Sequence, residues 1–346
     1  MLTPAARGPI SDLARSWLLR QREPDPAAAR ELCAVPCGDP IHDEDRQLAL
    51  WMLYELHYGG FRDADDSWEW SPDCLLLRGM LEAPFEAALV ELARPVTGDF
   101  LGQGDAFVER FFDVVARVDV PSVSTYLQHT ATREQMLEFL VHRTVYQLKE
   151  ADPHAWAVPR LTGTPKVGLV EILYDEYGAG RPDRLHSAMF RETLSACGLD
   201  PRYGAYLEQV PAVVLAVNNA MSLFGLHRRL RGAVAGHLAA FEMTSTRPNA
   251  LYAKGLRRLG ARDEAIVYFD EHVEADAVHE QIAARHLAGG LVAQDPTTSA
   301  DVLFGARTAL ALDDAASARL LGAWKAGRSS LSDPDHQGAA SMHVPA

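Results

Sequence analysis

The sequence predicts an all-α protein. Apolar residues recur three and four positions apart in one segment after another, which is the period of a helix with one buried face. No segment shows sustained alternation of apolar and polar residues between hairpin turns, the signature of strands. Hydrophobic residues make up 48% of the 346 positions, enough to fill a core and far too many for a disordered chain.

Each predicted element rests on its own pattern. Residues 46–58 carry Leu48, Met52 and Leu56, and 83–93 carry Phe85, Leu89 and Leu92. Residues 106–118 repeat Phe107, Phe111 and Val115, and 133–149 repeat Met136, Leu140, Val145 and Leu148. Residues 165–177 present Leu169, Ile172 and Leu173 on one face. Residues 205–226 are the most apolar stretch, but Asn218 and Asn219 interrupt it, so it is too short and too polar to span a membrane. Residues 233–243, 264–287 and 300–326 complete the helical set. Between 95 and 104 the run Pro-Val-Thr-Gly-Asp-Phe-Leu-Gly-Gln-Gly breaks the periodicity and marks a domain boundary. The region before it, 1–96, holds the aromatic cluster Tyr54, Tyr58, Phe61, Trp68 and Trp70. Residues 105–326 form the main helical domain, and 327–346, rich in Gly, Ser, Asp and His, read as a disordered tail. No internal repeat is evident.

Charge narrows the function. The net charge is −14 and the sequence pI about 5.4, which argues against nucleic acid as a partner. The N-terminus lacks the apolar core of a signal peptide, so a cytoplasmic protein with no membrane association is expected. Cys33 and Cys37 stand too far apart for a C-x-x-C motif, and no cysteine accompanies the histidine-rich segment, which disfavours zinc–thiolate chemistry.

The most informative stretch runs from Tyr268 to His279. Offsets of four and seven residues put His272, Asp276 and His279 on one helix face, and Phe269, Val273 and Ile282 suggest that this face points inward. Two imidazoles and a carboxylate are a ligand set suited to non-haem iron. One helix cannot close a coordination sphere, so other ligands must come from elsewhere. Glu242 sits in an apolar helical stretch. Glu150 ends another. Glu176 and His186 bracket a Gly- and Pro-containing segment, and in an unbroken helix they would stand about 15 Å apart; only a break at Gly178, Gly180 or Pro182 would let them share a site. Taken singly, each of these four reads more readily as a cap or a surface residue than as a ligand. Taken together, Glu150, Glu176, Glu242 and Asp276 carry four negative charges, which two ferrous ions would neutralise.

These residues resemble the haem-oxygenase-like di-iron oxidases, the iron-containing redox enzyme family, over about 107–320. The late helix of that family carries His-x3-Asp-x2-His, read here as His272, Asp276 and His279. A Glu about thirty residues earlier matches Glu242, and an early Glu and a His match Glu150 and His186. Glu176, ten residues before His186, matches the additional carboxylate of the nitrogen-oxygenating members. The resemblance implies a haem-oxygenase-like helical bundle, an N-terminal helical extension that makes a homodimer, and Glu150, Glu176, His186, Glu242, His272, Asp276 and His279 as ligands to two Fe(II)/Fe(III) ions, with Glu176 as the catalytic carboxylate. It implies O2 as co-substrate, a small amine-type substrate, and an external electron donor, either a separate reductase or a chemical reductant, since no flavin or nicotinamide fingerprint is present. The nitrogen-oxygenating relative carries a C-terminal cupin domain that this sequence does not show, so no cupin reaction is expected.

Competing constellations fit less well. Ferritin-like bundles need two Glu-x-x-His motifs, but only Asp276-x-x-His279 occurs, and Ser245 stands where Glu242 would need its His. His279-Glu280 is followed by Ala283, not by the second His of a zinc protease. Seven candidate ligands exceed what a haem enzyme uses. The expected activity is N-oxygenation of an amine, guanidine or aminoazole. The alternatives are oxidation at carbon on the same site (a lyase, desaturase or decarboxylase) and a non-enzymatic iron or redox sensor. Met221, Phe224, Phe190 and Tyr177 are candidate pocket residues, and Asn218 and Asn219 are candidates for a polar head group or for a purely structural role.

Overall fold

A computed structural model describes residues 1–94, 104–116 and 122–332. The boundary segment 95–104, apart from its last residue, and most of the expected tail lie outside the described residues. In chain order the helices are α1 (Pro9–Leu18), α2 (Pro26–Ala34), α3 (Glu44–Glu55), α4 (Pro72–Leu92), α5 (Asp105–Val115), α6 (Val123–His129), α7 (Arg133–Gln147), α8 (Asp152–Ala155), α9 (Gly163–Glu176), α10 (His186–Cys197), α11 (Ala212–Leu226), α12 (Arg231–Arg258), α13 (Val267–Gln281), α14 (Gly290–Gln294) and α15 (Ser299–Lys325). A π-helical stretch, Ile282–Gly289, joins α13 to α14. Among the described residues there is no strand, as the periodicity predicts, and no helix is long and apolar enough to cross a membrane.

The chain divides into two compact units. The first comprises Met1–Glu91, Arg202–Asn219 and the described start of Leu331–Ala346. Its α1 begins against the Asp45 carboxylate, which accepts from the backbone N–H groups of Ile10 (2.8 Å) and Ser11 (2.7 Å), two donors that the first helical turn leaves unpaired. Arg7 donates to the carbonyls of Leu207 and Val210, both at 2.7 Å, and so ties the 202–219 segment to the N-terminal helices. Asn219 donates through its amide nitrogen to the Gln47 carbonyl (2.9 Å) and side chain (2.7 Å), a structural cross-link within this unit.

The second unit, Leu92–Pro201 and Ala220–Ser330, carries the predicted site. Two long helices, α12 and α15, form its spine. A Cβ at Gly236 would fall 1.9 Å from the Val302 carbonyl, and one at Gly305 would fall 1.9 Å from the Ala233 carbonyl. Only hydrogen side chains permit that backbone-to-backbone approach. On another side, Gly168 of α9 leaves room for His286 of the π segment, whose Cβ would lie 2.9 Å from an added methyl.

Several boundaries differ from the pattern-based ones. Pro72 opens α4 eleven residues before the predicted start. Residues 205–211 are not helical; a 3-10 turn (Leu207–Gln209) precedes Pro211, and α11 starts after it. The 233–243 element continues to Arg258 through Pro248, whose ring is accommodated in the helix interior. The 264–287 element starts as a 3-10 turn and changes to π pitch at Ile282. His272, Asp276 and His279 all precede that change, so the helix-face spacing holds for them.

Candidate metal centre

His272, Asp276 and His279 are 5%, 1% and 0% exposed, so the face of α13 that carries them is interior. Four further residues reach them from four places. Glu242 lies on α12, buried. Glu176 is the last residue of α9 and His186 the first of α10, both buried. Glu150 follows α7 in a turn whose next residue, Ala151, has φ +73°. Ligand atoms of Glu150, Glu176, His186 and His272 lie within 4.8 Å of one another, and so do those of Glu176, Glu242 and His279. Glu176 belongs to both groups. Asp276 stands at the margin, its Oδ1 4.0 Å from His279 Nδ1, with Asn249 donating to its other oxygen at 3.5 Å.

The approach of Glu176 to His186 depends on the chain reversal between them. Gly178, Ala179 and Gly180 have φ of +79°, +52° and +80°, left-handed conformations that end α9 abruptly. A 3-10 turn (Pro182–Arg184) then leads into α10. The break allowed by Gly178, Gly180 and Pro182 is thus a full turn, and it brings His186 Nδ1 to 2.9 Å from Glu176 Oε2.

Outer contacts fix how each imidazole faces the group. The Nδ1 of His272 lies 2.8 Å from the Tyr268 carbonyl. A carbonyl only accepts, so the proton sits on Nδ1 and the Nε2 lone pair faces inward, 3.6 Å from Glu150 Oε1. His279 is reversed. Its Nε2 meets the Asp175 carboxylate at 3.1 Å, leaving Nδ1 toward Glu242 Oε2 (3.2 Å) and Glu176 Oε1 (3.9 Å). Tyr268 serves a second ligand, its hydroxyl lying 3.0 and 2.8 Å from the two oxygens of Glu150. Asp175 and Tyr268 are the partners that pattern reading of the sequence does not assign. Asp175 has no distinguishing signal beside Glu176, and Tyr268 reads as one more apolar-face aromatic.

The electrostatics are those of a group without an internal counter-charge. Burial, then the charges of Asp276 and Glu176, push Glu242 up to about 7 despite its contact with His279. Burial would lower His279, but Glu242 and Asp175 raise it to about 9. Burial would raise Glu176, but His186, His272 and His279 hold it at about 2. Protein groups alone therefore approach neutrality only by holding protons, on the imidazoles and on Glu242. A cation would resolve the same charge differently. His186 Nδ1, His272 Nε2, His279 Nδ1 and Glu176 Oε2 are buried and make no well-aligned hydrogen bond, although His186 Nδ1 lies 2.9 Å from Glu176 Oε2 and His279 Nδ1 3.2 Å from Glu242 Oε2. Poorly satisfied buried polar atoms are costly, and a cation among them would relieve that cost. The set is oxygen and imidazole nitrogen, with no thiolate, which suits iron.

Other candidate residues fall elsewhere. Phe190, Met221 and Phe224 are completely buried; Phe190 packs on Tyr268 and Phe224 on Phe304, as ordinary core does. Tyr177 is 37% exposed and donates to Asp152 at 3.0 Å. Asn218 is buried with both amide atoms unpaired.

Comparison with known proteins agrees with this centre. The family model described as iron-containing redox enzyme matches residues 137–314, just over half of the chain and every residue of both groups. A nitrosourea synthase of Streptomyces achromogenes subsp. streptozoticus is 25% identical over 189 residues, which is 54% of this chain and 40% of the relative. The chain thus spans less than half the length of that curated relative. With its helical fold, its buried His and Glu side chains and the family match, the chain belongs to the iron-containing redox enzymes.

Proposed function

We propose that the chain is a non-haem di-iron, O2-dependent N-oxygenase that converts an amine, guanidine or aminoazole nitrogen to a hydroxylamine or a more oxidised product. The observation that carries this reading is the position of Glu176, whose carboxylate reaches both groups of ligand atoms. Glu150, His186 and His272 would hold one ion and Glu242, His279 and Asp276 the other, with Glu176 contributing to both. The additional carboxylate is the mark of nitrogen-oxygenating members in the family resemblance. The similarity to a nitrosourea synthase, whose name is that of a nitrogen-rich product, points the same way.

Bound iron would supply the electrons that reduce O2. The chain's own residues supply geometry and exclusion of water. Tyr268 holds His272 in one tautomer through its carbonyl and orients Glu150 through its hydroxyl. Asp175 does the same for His279. Burial of the ligands keeps bulk water from the reacting nitrogen. An external reductant would be needed to keep bound iron ferrous, and we take the working form to be a cytoplasmic homodimer.

The test is product mass spectrometry. Protein reconstituted with ferrous iron and exposed to air with candidate amines and a reductant should give products that gain oxygen on nitrogen. Carbon–carbon cleavage or desaturation, without nitrogen oxygenation, would contradict the reading.

A further inference from the structure

The reversal between Glu176 and His186 is well bonded within itself. The Arg181 N–H donates to the Gly178 carbonyl and the Arg184 N–H to the Arg181 carbonyl, both at 2.9 Å. To α13 it is joined by a single side-chain bond among the described residues: the Arg184 guanidinium donates to a carboxylate oxygen of Glu271. Arg184 stands two residues before the candidate ligand His186, and Glu271 one residue before the candidate ligand His272. The two imidazoles belong to one group of ligand atoms, with ring centroids 4.4 Å apart and planes inclined at 51°.

His272 and His279 are each oriented by an outer hydrogen bond, to the Tyr268 carbonyl and to Asp175. His186 is not. Among the described residues its one polar side-chain partner is Glu176, which faces the ligand nitrogen Nδ1. The direction of this imidazole therefore depends on where the backbone at the start of α10 is held. A neighbouring ion pair offers a contrast. Asp270, the residue before Glu271, is paired with Arg257 near the end of α12. Arg257 lies fifteen residues past Glu242, about 22 Å along a helix, so that pair steadies α13 without holding a second ligand in place.

We propose that the Arg184–Glu271 ion pair is the clamp that sets His186 against His272, two positioning residues that touch neither metal nor substrate. The pair bridges the solvent side of two elements whose inner sides carry the ligands, and so fixes the separation at which the two imidazoles converge. Its side chains are 40% and 23% exposed, so the attraction is modest and screened by salt. Its leverage comes from acting one and two residues away from the ligands. The proposal rests on the metal centre, whichever reaction that centre performs.

The test is titration of the full chain with cobalt(II), a probe whose ligand-field spectrum reports its coordination without turnover. Arg184→Glu sets two carboxylates against each other. It should weaken cobalt binding about fivefold to twentyfold, one exposed attraction lost and one repulsion gained, and alter the spectrum of the bound ion. Charge counting alone predicts the opposite sign, since added negative charge draws a cation. The swap that combines Arg184→Glu with Glu271→Arg should restore both affinity and spectrum. Salt at about 1 M should narrow the gap between wild type and Arg184→Glu. Arg257→Glu, the control, should not weaken binding. If Arg184→Glu folds poorly, Arg184→Gln takes its place, with an expected loss of about twofold to fivefold. Unchanged or tighter binding in Arg184→Glu, no recovery in the swap, or an equal loss in Arg257→Glu would overturn the clamp. A wild-type chain that binds no cobalt would overturn the metal centre, and the clamp with it.

Discussion

Glu176 Oε2 and His186 Nδ1 lie 2.9 Å apart although ten residues separate them and an unbroken helix would hold them far from each other. The reversal between them is made by three consecutive left-handed residues, 178–180. The two glycines there are not equivalent. A Cβ at Gly178 would lie 2.4 Å from the Arg181 carbonyl, whereas one at Gly180 meets nothing within 4 Å. Gly178→Ala should therefore cost more than the roughly 1–3 kcal/mol of a strained backbone alone and lower iron content. Gly180→Ala should cost about 1 kcal/mol and leave iron in place. Thermal unfolding with metal analysis of both variants checks the contrast.

Asp175 touches His279 only at the nitrogen that faces away from the centre, and it is nearly half exposed, 46% for the side chain. Its role is to select the tautomer that leaves Nδ1 free. Asp175→Ala removes the acceptor and should lower metal affinity by about tenfold to hundredfold. Asp175→Asn, whose amide oxygen can still accept from the imidazole N–H, should lose less. Retention of full affinity in the Ala variant would remove this role.

How much of this was legible in the sequence depends on where each contact is encoded. His272, Asp276 and His279 share one helix, so their spacing alone places them on one face, and α13 is helical through all three. Glu242 is visible as a carboxylate in an apolar stretch. The meeting of Glu176 with His186 is not fixed by spacing, because it depends on how sharply residues 178–185 turn; the glycines permit a turn without specifying one. Asp175 is invisible, since an acidic residue near a helix end is ordinarily a solvated one. The pattern reading also omits α1, α2, α6, α8, α10 and α14; α2, α6, α8 and α14 are nine residues or shorter, which leaves too few periods to register, whereas α1 and α10 are close in length to α5, which it includes, and no less buried.

The pH dependence follows from two upward shifts. Glu242 rises from 4.5 to about 7 and His279 from 6.5 to about 9. In metal-free protein their contribution to stability is complete below 4.5 and 6.5 and is lost as pH rises through about 7 and about 9. A metal ion needs both groups deprotonated, so its binding strengthens over the same interval. The gap between the unfolding temperatures of metal-loaded and metal-free protein should widen as pH rises from about 7 to about 9. A gap independent of pH would show that these groups do not bind the ion.

Without a cation, the buried carboxylates and histidines of α13 and its neighbours balance one another only through protonation. Residues 262–285 should therefore exchange amide hydrogens faster in metal-free protein than in the iron-loaded form. Identical exchange in the two forms would contradict the coupling of metal to local order.

The central claim is that Glu150, Glu176, His186, Glu242, His272, Asp276 and His279 together hold two irons. Anaerobic titration with ferrous iron, read by metal analysis and Mössbauer spectroscopy, tests it most directly. The account predicts two bound irons per chain in the wild type, and loss of both iron and O2-dependent turnover in Glu242→Ala. Iron loading and turnover unchanged by that substitution, or a wild-type chain that binds no iron, would contradict it.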